Sequence, residues 1–388
     1  MYNVLTLNKI AACGTDLLDK GKYAVTDDTA VNADAILVRS ASMHEMELPA
    51  NLLAIARAGA GVNNIPIDKC SEKGVVVFNT PGANANAVKE LVIAGLLLSS
   101  RRIPAAMDWI KTLKGKGDEV GKLVEKGKSQ FVGPEIMGKK LGVIGLGAIG
   151  ILVANAAAEL GMDVYGADPY LSVENALKLS GKVHYVKSNK EIFEKCDYIT
   201  LHVPALPDTK GMINAEAIAS MKKTVRLLNF ARDTLVDEKA IIDALANGGM
   251  ACYVTDFATD GLIGLDGVVA MPHLGASTPE SEDNCAVMAV KEISDYIENG
   301  NIKNSVNLPN VEMAITGNAK ICVIHKNAEG LLNNITAPVS AAGMNIENMV
   351  SKSKKDYAYT CLDVKGDTTG IETALKAVAG VVAVRVIK

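Results

Sequence analysis

Three features of this 388-residue sequence predict an α/β protein with two doubly wound parallel sheets and a small βαββαβ module at the end. First, the opening hundred residues alternate short apolar strands, at 3–7, 35–38, 54–56 and 75–78, with helical stretches. That alternation implies a parallel sheet covered by helices on both faces. Second, a glycine-rich turn at 145–150 opens another series, with strands expected at 141–144, 164–167, 198–201, 225–228, 253–255 and 268–271. Third, a Pro-, Asn- and Gly-rich stretch at 306–318 reads as a linker and is followed by a pattern of its own. In that last part, strands are expected at 319–325, 345–350, 357–365 and 381–387, and helices at 329–342 and 371–378, the ferredoxin-like order. The two larger units are of Rossmann or flavodoxin-like type, and two of them in one chain predict cofactor on one and substrate on the other.

The bulk numbers narrow the function classes. The chain is 49% hydrophobic and 22% charged, a globular balance too long for one ordinary core. A net charge of −4 and a pI near 5.8 argue against general affinity for nucleic acid or an anionic membrane, so any anion site must be local. The longest apolar stretch, 91–98, is too short to span a bilayer, and the N-terminus carries no charged-then-apolar leader. The seven cysteines show no CxxC spacing, which points away from a metal and toward reduced core residues in a cytoplasmic protein.

The turn Gly145-Leu146-Gly147-Ala148-Ile149-Gly150 lies between an apolar strand and an Ala-rich helix that Gly161 is placed to stop. A second strand then delivers Asp168. In such a unit the first glycine permits the tight turn and the second a close approach to a pyrophosphate. The third allows helix–strand contact, with the helix N-terminus facing the anion. Asp168 can accept hydrogen bonds from both adenosine ribose hydroxyls, and Pro169-Tyr170 brings no cation for a 2′-phosphate, so NAD is expected rather than NADP.

Three further strand ends carry chemistry: 229–232 with Arg232, 256–260 with two aspartates, and 271–277 with His273. Oxidising an alcohol needs a base for the hydroxyl proton, and imidazole titrates near the working pH. A carboxylate behind the ring orients it, and an arginine fork holds a substrate carboxylate. Of the other histidines, His44 and His184 read as surface residues and His202 as structural. His273 capping its own turn, and Arg232 ion-paired to Asp233 or Asp237, are the plainer alternatives.

These residues, with 57–65 (RAGAGVNNI), 79–84 (NTPGAN), 229–237 (NFARDTLVD) and 272–278 (PHLGAST), resemble the D-2-hydroxyacid dehydrogenase family, and within it the branch acting on 3-phosphoglycerate in serine biosynthesis. The resemblance implies Arg232 as ligand of the substrate carboxylate and carbonyl, and His273 as acid/base. It puts Asp260 where the family has a glutamate partner of the histidine. That aspartate is one methylene shorter, so either the loop sits closer to His273 or the pairing is weaker. It also implies that Ala148, Ile149, His202, Val203, Pro204, Thr209, Phe230, Ala231, Asp256 and Gly275 lie beside the cofactor, with Asp256 shifted one position from the family's nicotinamide-contacting aspartate. Arg39, Ser40, Ala60, Gly61 and Asn84 would surround the substrate. From spacing alone Arg39 could equally be a surface residue ending a strand. The layout implied is discontinuous: residues 1–98 with 283–310 as substrate domain, 99–282 as NAD domain, and 318–388 as an ACT regulatory module. There His325, Asn327 and Asn345 match positions binding L-serine as feedback effector, or else are polar turn residues of a module used only for assembly. A homodimer or homotetramer is expected, since about 70 residues bury more surface by pairing. Rival readings are a reductase of glyoxylate, hydroxypyruvate or 2-oxoglutarate, and a NAD-responsive binding protein.

Overall fold

The computed structural model describes residues 1–388, which form two compact units. One consists of Met1–Asn84 and Pro279–Lys388, the other of Ala85–Thr278.

In the first unit, strands β1 (Tyr2–Thr6), β2 (Tyr23–Thr26), β3 (Ala35–Val38), β4 (Ala54–Arg57) and β5 (Val76–Asn79) make a parallel sheet in the order β2-β1-β3-β4-β5. The central strands are buried on both faces and read as unbroken apolar runs, as parallel strands do. The edge strand β2 escapes the sequence pattern because it is four residues of alternating exposure. The 21-residue helix Pro279–Asn299 lays Cys285, Ala289, Val290, Ile293, Tyr296 and Ile297 in the core shared with this sheet, the stripe expected of an amphipathic helix.

The second unit is a seven-stranded parallel sheet of β6 (Lys140–Ile144), β7 (Asp163–Ala167), β8 (His184–Tyr185), β9 (Tyr198–Leu201), β10 (Arg226–Asn229), β11 (Cys252–Thr255) and β12 (Val268–Ala270). Its order, β12-β11-β10-β9-β6-β7-β8, runs outward in both directions from β6 and β9. Strand order therefore reverses at β6, the position where doubly wound sheets bind ligands beyond their carboxyl ends.

The C-terminal module joins the first unit. Its strands β13 (Ala319–Lys326), β14 (Asn345–Lys354), β15 (Tyr357–Lys365) and β16 (Val381–Ile387) form an antiparallel sheet in the order β14-β15-β13-β16. Helices Leu331–Ala341 and Ile371–Lys376 share one core with Ile321, Val323, Leu362 and Val364. Cys322, Ile324, Tyr359, Cys361 and Ile387 belong instead to the core holding Tyr296, Ile297, Ile302, Leu308 and Val311. The module thus has two buried faces within its own chain.

The 306–318 stretch is correspondingly no free linker. Leu308 and Val311 are 1% exposed, Ile302 bridges to Val311, and the Thr316 and Gly317 amides donate to the Asp363 carboxylate at 3.0 and 2.9 Å. Its polar composition hid two apolar anchors. The fold class expected from the sequence, two parallel α/β sheets and a ferredoxin-like module, is the one observed. No helix is long and apolar enough to cross a membrane.

Candidate active site

The glycine turn is built by its contacts. Gly145, at φ +94°, is a conformation that suits glycine, and a Cβ there would fall 2.5 Å from the His202 carbonyl oxygen. A Cβ on Gly150 would fall 1.9 Å from the Gly145 carbonyl oxygen, so the turn closes only without side chains. At Gly147 nothing lies within 4 Å of that point. This open space faces the start of helix Ala148–Glu159, whose N-cap is Gly147 with no side-chain cap. Backbone N–H groups at such a terminus suit a pyrophosphate, so the cradle fits a dinucleotide. The helix begins three residues earlier than the apolar run 151–160 suggests, taking in Ala148 and Ile149.

Asp168, at the end of β7, accepts the Leu146 and Tyr170 amides, both at 2.8 Å, one on each carboxylate oxygen. The remaining lone pairs stay available to ribose hydroxyls. Beyond β9, the His202 ring nitrogen meets the Thr200 hydroxyl at 3.0 Å, and burial drives its pKa down to about 3, leaving it neutral. Thr209 staples the loop beyond Val203 by donating to the Pro204 carbonyl at 2.6 Å and accepting the Leu206 amide at 2.8 Å.

At the end of β10, buried Asn229 accepts the Ala231 amide and donates to the Arg232 carbonyl at 2.8 Å. Arg232 itself is exposed and donates to the Ala231 carbonyl. Phe230 is 5% exposed and its ring packs where Gly95 leaves room, so only its backbone can face a ligand. At the end of β11, Thr255 donates to the Asn229 carbonyl at 3.1 Å and accepts the Phe257 amide at 3.1 Å, tying the two strand ends together. Asn229, Thr255 and Phe257 are site-shaping residues the sequence reading left unassigned. Asn229 was visible only as the first letter of a motif.

The Asp256 carboxylate lies close enough to His273 to feel its charge. Asp256 is 2% exposed, accepts the Gly275 amide through Oδ2 at 3.2 Å, and leaves Oδ1 without a partner. Burial raises its pKa, opposed by the positive charge of His273. The His273 ring leans on Phe257 with centroids 4.9 Å apart. Asp260 is exposed on the next turn and makes no ion pair or hydrogen bond with His273.

In the first unit, Arg39 pairs with Glu282 at 2.7 Å, and the amides of Arg39, Ser40 and Ala41 all donate to the side-chain oxygen of Asn8, at 3.1, 3.0 and 2.9 Å. Three convergent N–H groups make a nest suited to an anion, here taken by Asn8. Beside it, Arg57 donates to the Arg39 carbonyl at 3.0 Å, and its guanidinium lies against the turn carrying Ala60 and Gly61. Asn79 donates to the Ala60 carbonyl at 2.6 Å, while Asn84 directly precedes helix Ala85–Arg101. Arg57, inside a quoted motif yet given no role, is the cation the sequence reading missed.

In the module, His325 is 4% exposed and fully engaged, with Thr360 and the Lys326 carbonyl both at 2.8 Å. Burial lowers its pKa. These two partners hold its ring at the end of β13. Asn327 and Asn345 are exposed, donating to the Lys355 carbonyl and to Glu347.

Residues 93–275 match the family described as D-isomer specific 2-hydroxyacid dehydrogenase, NAD binding domain. The chain is 32% identical to the D-3-phosphoglycerate dehydrogenase of Bacillus subtilis, over 92% of this chain and 69% of that one. It is likewise 32% identical to the enzyme of that name from Haemophilus influenzae, over 88% of this chain and 83% of the relative. A solved NAD+-bound 3-phosphoglycerate dehydrogenase of Entamoeba histolytica superposes with a TM-score of 0.62 at 28% identity, over 79% of this chain and 98% of that one. With a glycine cradle, an acid at the second strand and an Arg–carboxylate–His set on one sheet edge, the chain belongs to the D-isomer specific 2-hydroxyacid dehydrogenases, and its Ala85–Thr278 unit carries their NAD-binding domain.

Proposed function

We propose that this chain is an NAD-dependent D-3-phosphoglycerate dehydrogenase, oxidising 3-phospho-D-glycerate to 3-phosphohydroxypyruvate, the first step of serine biosynthesis. The observation that carries the reading is the delivery of Arg232, Asp256 and His273 by neighbouring strand ends in a chain whose relatives bear that name over most of its length.

The open face at Gly147 and the first turn of helix Ala148–Glu159 would hold the pyrophosphate of NAD, and Asp168 its ribose. The carboxylate at 168 repels a 2′-phosphate, which favours NAD over NADP. NAD bound there would supply the acceptor for the hydride leaving C2. His273 removes the C2 hydroxyl proton on a ring nitrogen, and Arg232 holds the substrate carboxylate and the developing carbonyl oxygen. Asp256 steadies the resulting imidazolium by its charge. The substrate phosphate falls to Arg57 and the Gly61 turn, with Arg39, Ser40 and Asn84.

A second reading has one observation in its favour. Glu282 already neutralises Arg39, and Asn8 fills the amide nest, an arrangement that suits an unphosphorylated 2-oxo acid such as glyoxylate, hydroxypyruvate or 2-oxoglutarate. NADH oxidation with 3-phosphohydroxypyruvate and with hydroxypyruvate separates the two. A kcat/KM preference of about tenfold or more for the phosphorylated acid, lost in Arg57→Ala, supports the first; equal use of both supports the second.

The finer assignments follow. The C-terminal module senses L-serine through His325, Asn327 and Asn345. The chain assembles as a homodimer or homotetramer, since ten-residue β14 is an edge strand with mostly exposed side chains. Millimolar L-serine should suppress turnover. Turnover indifferent to serine would reduce the module to an assembly element.

A further inference from the structure

Two of the seven cysteines are not isolated core residues. Cys322 on β13 and Cys361 on β15 stand directly opposite each other in the antiparallel ladder, and the Cys361 thiol donates to the Cys322 sulfur at 3.8 Å. Directly opposed residues of an antiparallel pair have Cα atoms about 4.5–5.5 Å apart, inside the range of about 4.4–6.8 Å that a disulfide tolerates. Rotation about two Cα–Cβ bonds is then enough to join the sulfurs.

The surroundings favour a thiolate on one sulfur only. The hydrogen bond from Cys361, helped by the charges of Lys320 and Arg385, pulls the Cys322 pKa down to about 7, while the Cys361 thiol is raised. A low-pKa thiolate with a second thiol in reach is the arrangement of a redox-responsive pair. Elsewhere burial holds Cys70, Cys196 and Cys252 at about 12, 12 and 11, and none of them has a cysteine partner.

Access exists despite burial. Cys322 lines a cavity of about 230 Å³, bounded by residues 50–53, Lys73, Arg385 and Lys376. At about 30 Å³ of liquid per water, that admits several water-sized molecules. The far side of Cys322 presses on Gly300, where a Cβ would fall 2.5 Å from its sulfur, and the neighbouring Tyr359 hydroxyl donates to the Gly300 carbonyl at 2.7 Å. The pair therefore sits where the module's sheet rests on the end of helix Pro279–Asn299.

We propose that Cys322 and Cys361 form a peroxide-responsive dithiol that closes to a cross-strand disulfide within the C-terminal module. The Cys322 thiolate attacks the distal oxygen of a hydroperoxide; the O–O bond breaks, the alkoxide leaves as an alcohol after taking a proton, and Cys322 becomes a sulfenic acid. The Cys361 sulfur then displaces hydroxide from it, and its proton completes a water. Two thiols are oxidised and one hydroperoxide is reduced to one alcohol and one water.

The test treats the full chain, with exposed Cys13 replaced by serine to remove its own oxidation, with hydrogen peroxide. Remaining thiols are then alkylated under denaturing conditions and the digested chain is read by mass spectrometry. Two fewer alkylated thiols and a Cys322–Cys361-linked peptide that dithiothreitol dissolves are expected. In Cys361→Ser the sulfenic acid should persist on Cys322 and be trapped by dimedone. All six remaining thiols still alkylated, or oxidation spread over other cysteines, would overturn the proposal. Should Cys361→Ser fail to fold, the peptide map of the Cys13→Ser chain decides alone. None of this depends on the substrate.

Discussion

Single side chains carry the sharpest consequences. His273→Ala should leave NADH affinity nearly intact and lower kcat by about a hundredfold or more, the scale of lost acid/base catalysis. The two candidate carboxylates separate cleanly. Asp256→Asn should lower kcat about tenfold or more. Asp260→Asn should change it by less than about threefold, since Asp260 is exposed and unpaired with His273. Activity lost in Asp260→Asn and kept in Asp256→Asn would reverse that assignment. Gly147→Ala makes a different kind of test. Nothing in the free protein meets the added methyl, so Tm should hold while the Kd for NADH rises about tenfold or more. At this scale the sequence expected Arg232, Asp168 and the glycines at strand ends, where the structure has them. Spacing along the 256–260 loop does not say which way the loop turns, so the choice between its two aspartates is not legible in the sequence. For His325 the sequence shows a polar residue at a strand end and not its engagement by Thr360 and the Lys326 carbonyl.

At the scale of elements, helix Pro279–Asn299 holds a testable oddity. Its Glu292 is 8% exposed, accepts from Asn304 at 2.7 Å on one oxygen and has no partner on the other, and burial pushes its pKa up to about 8. The folded chain thus holds a proton that the unfolded chain releases above about pH 4.5. Stability from this group is complete below the unfolded pKa and drains away as pH rises toward 8. Glu292→Gln should therefore raise Tm by several degrees at pH 8 and little at pH 5. An equal effect at both would mean that Glu292 is ionised throughout. Elements were legible where a period or an apolar run repeated, as in β3, β9 and β15. Strand β8, two residues long, and the edge strand β2 carry too few side chains to make a pattern.

The whole molecule shows what local patterns leave out. A polar stretch at 306–318 reads as a tether, yet Leu308 and Val311 anchor it, and the module's sheet shares a core with Tyr296 and Ile302. Sequence periodicity reports that a strand has apolar sides, not which partner covers them, so pairing with a second copy was the natural expectation for a face its own chain already buries. Deleting residues 319–388 should expose Tyr296, Ile297 and Ile302, lower the Tm of the remainder and promote aggregation. An unchanged Tm in the truncated chain would show that the shared core contributes little. The most direct test of the account as a whole is NADH oxidation by 3-phosphohydroxypyruvate, wild type beside His273→Ala. It predicts turnover within the ordinary enzymatic range of about 1–10³ s⁻¹ for the wild type and a loss of about a hundredfold or more in the variant. Equal rates for the two proteins, or no turnover of this acid by either, would contradict it.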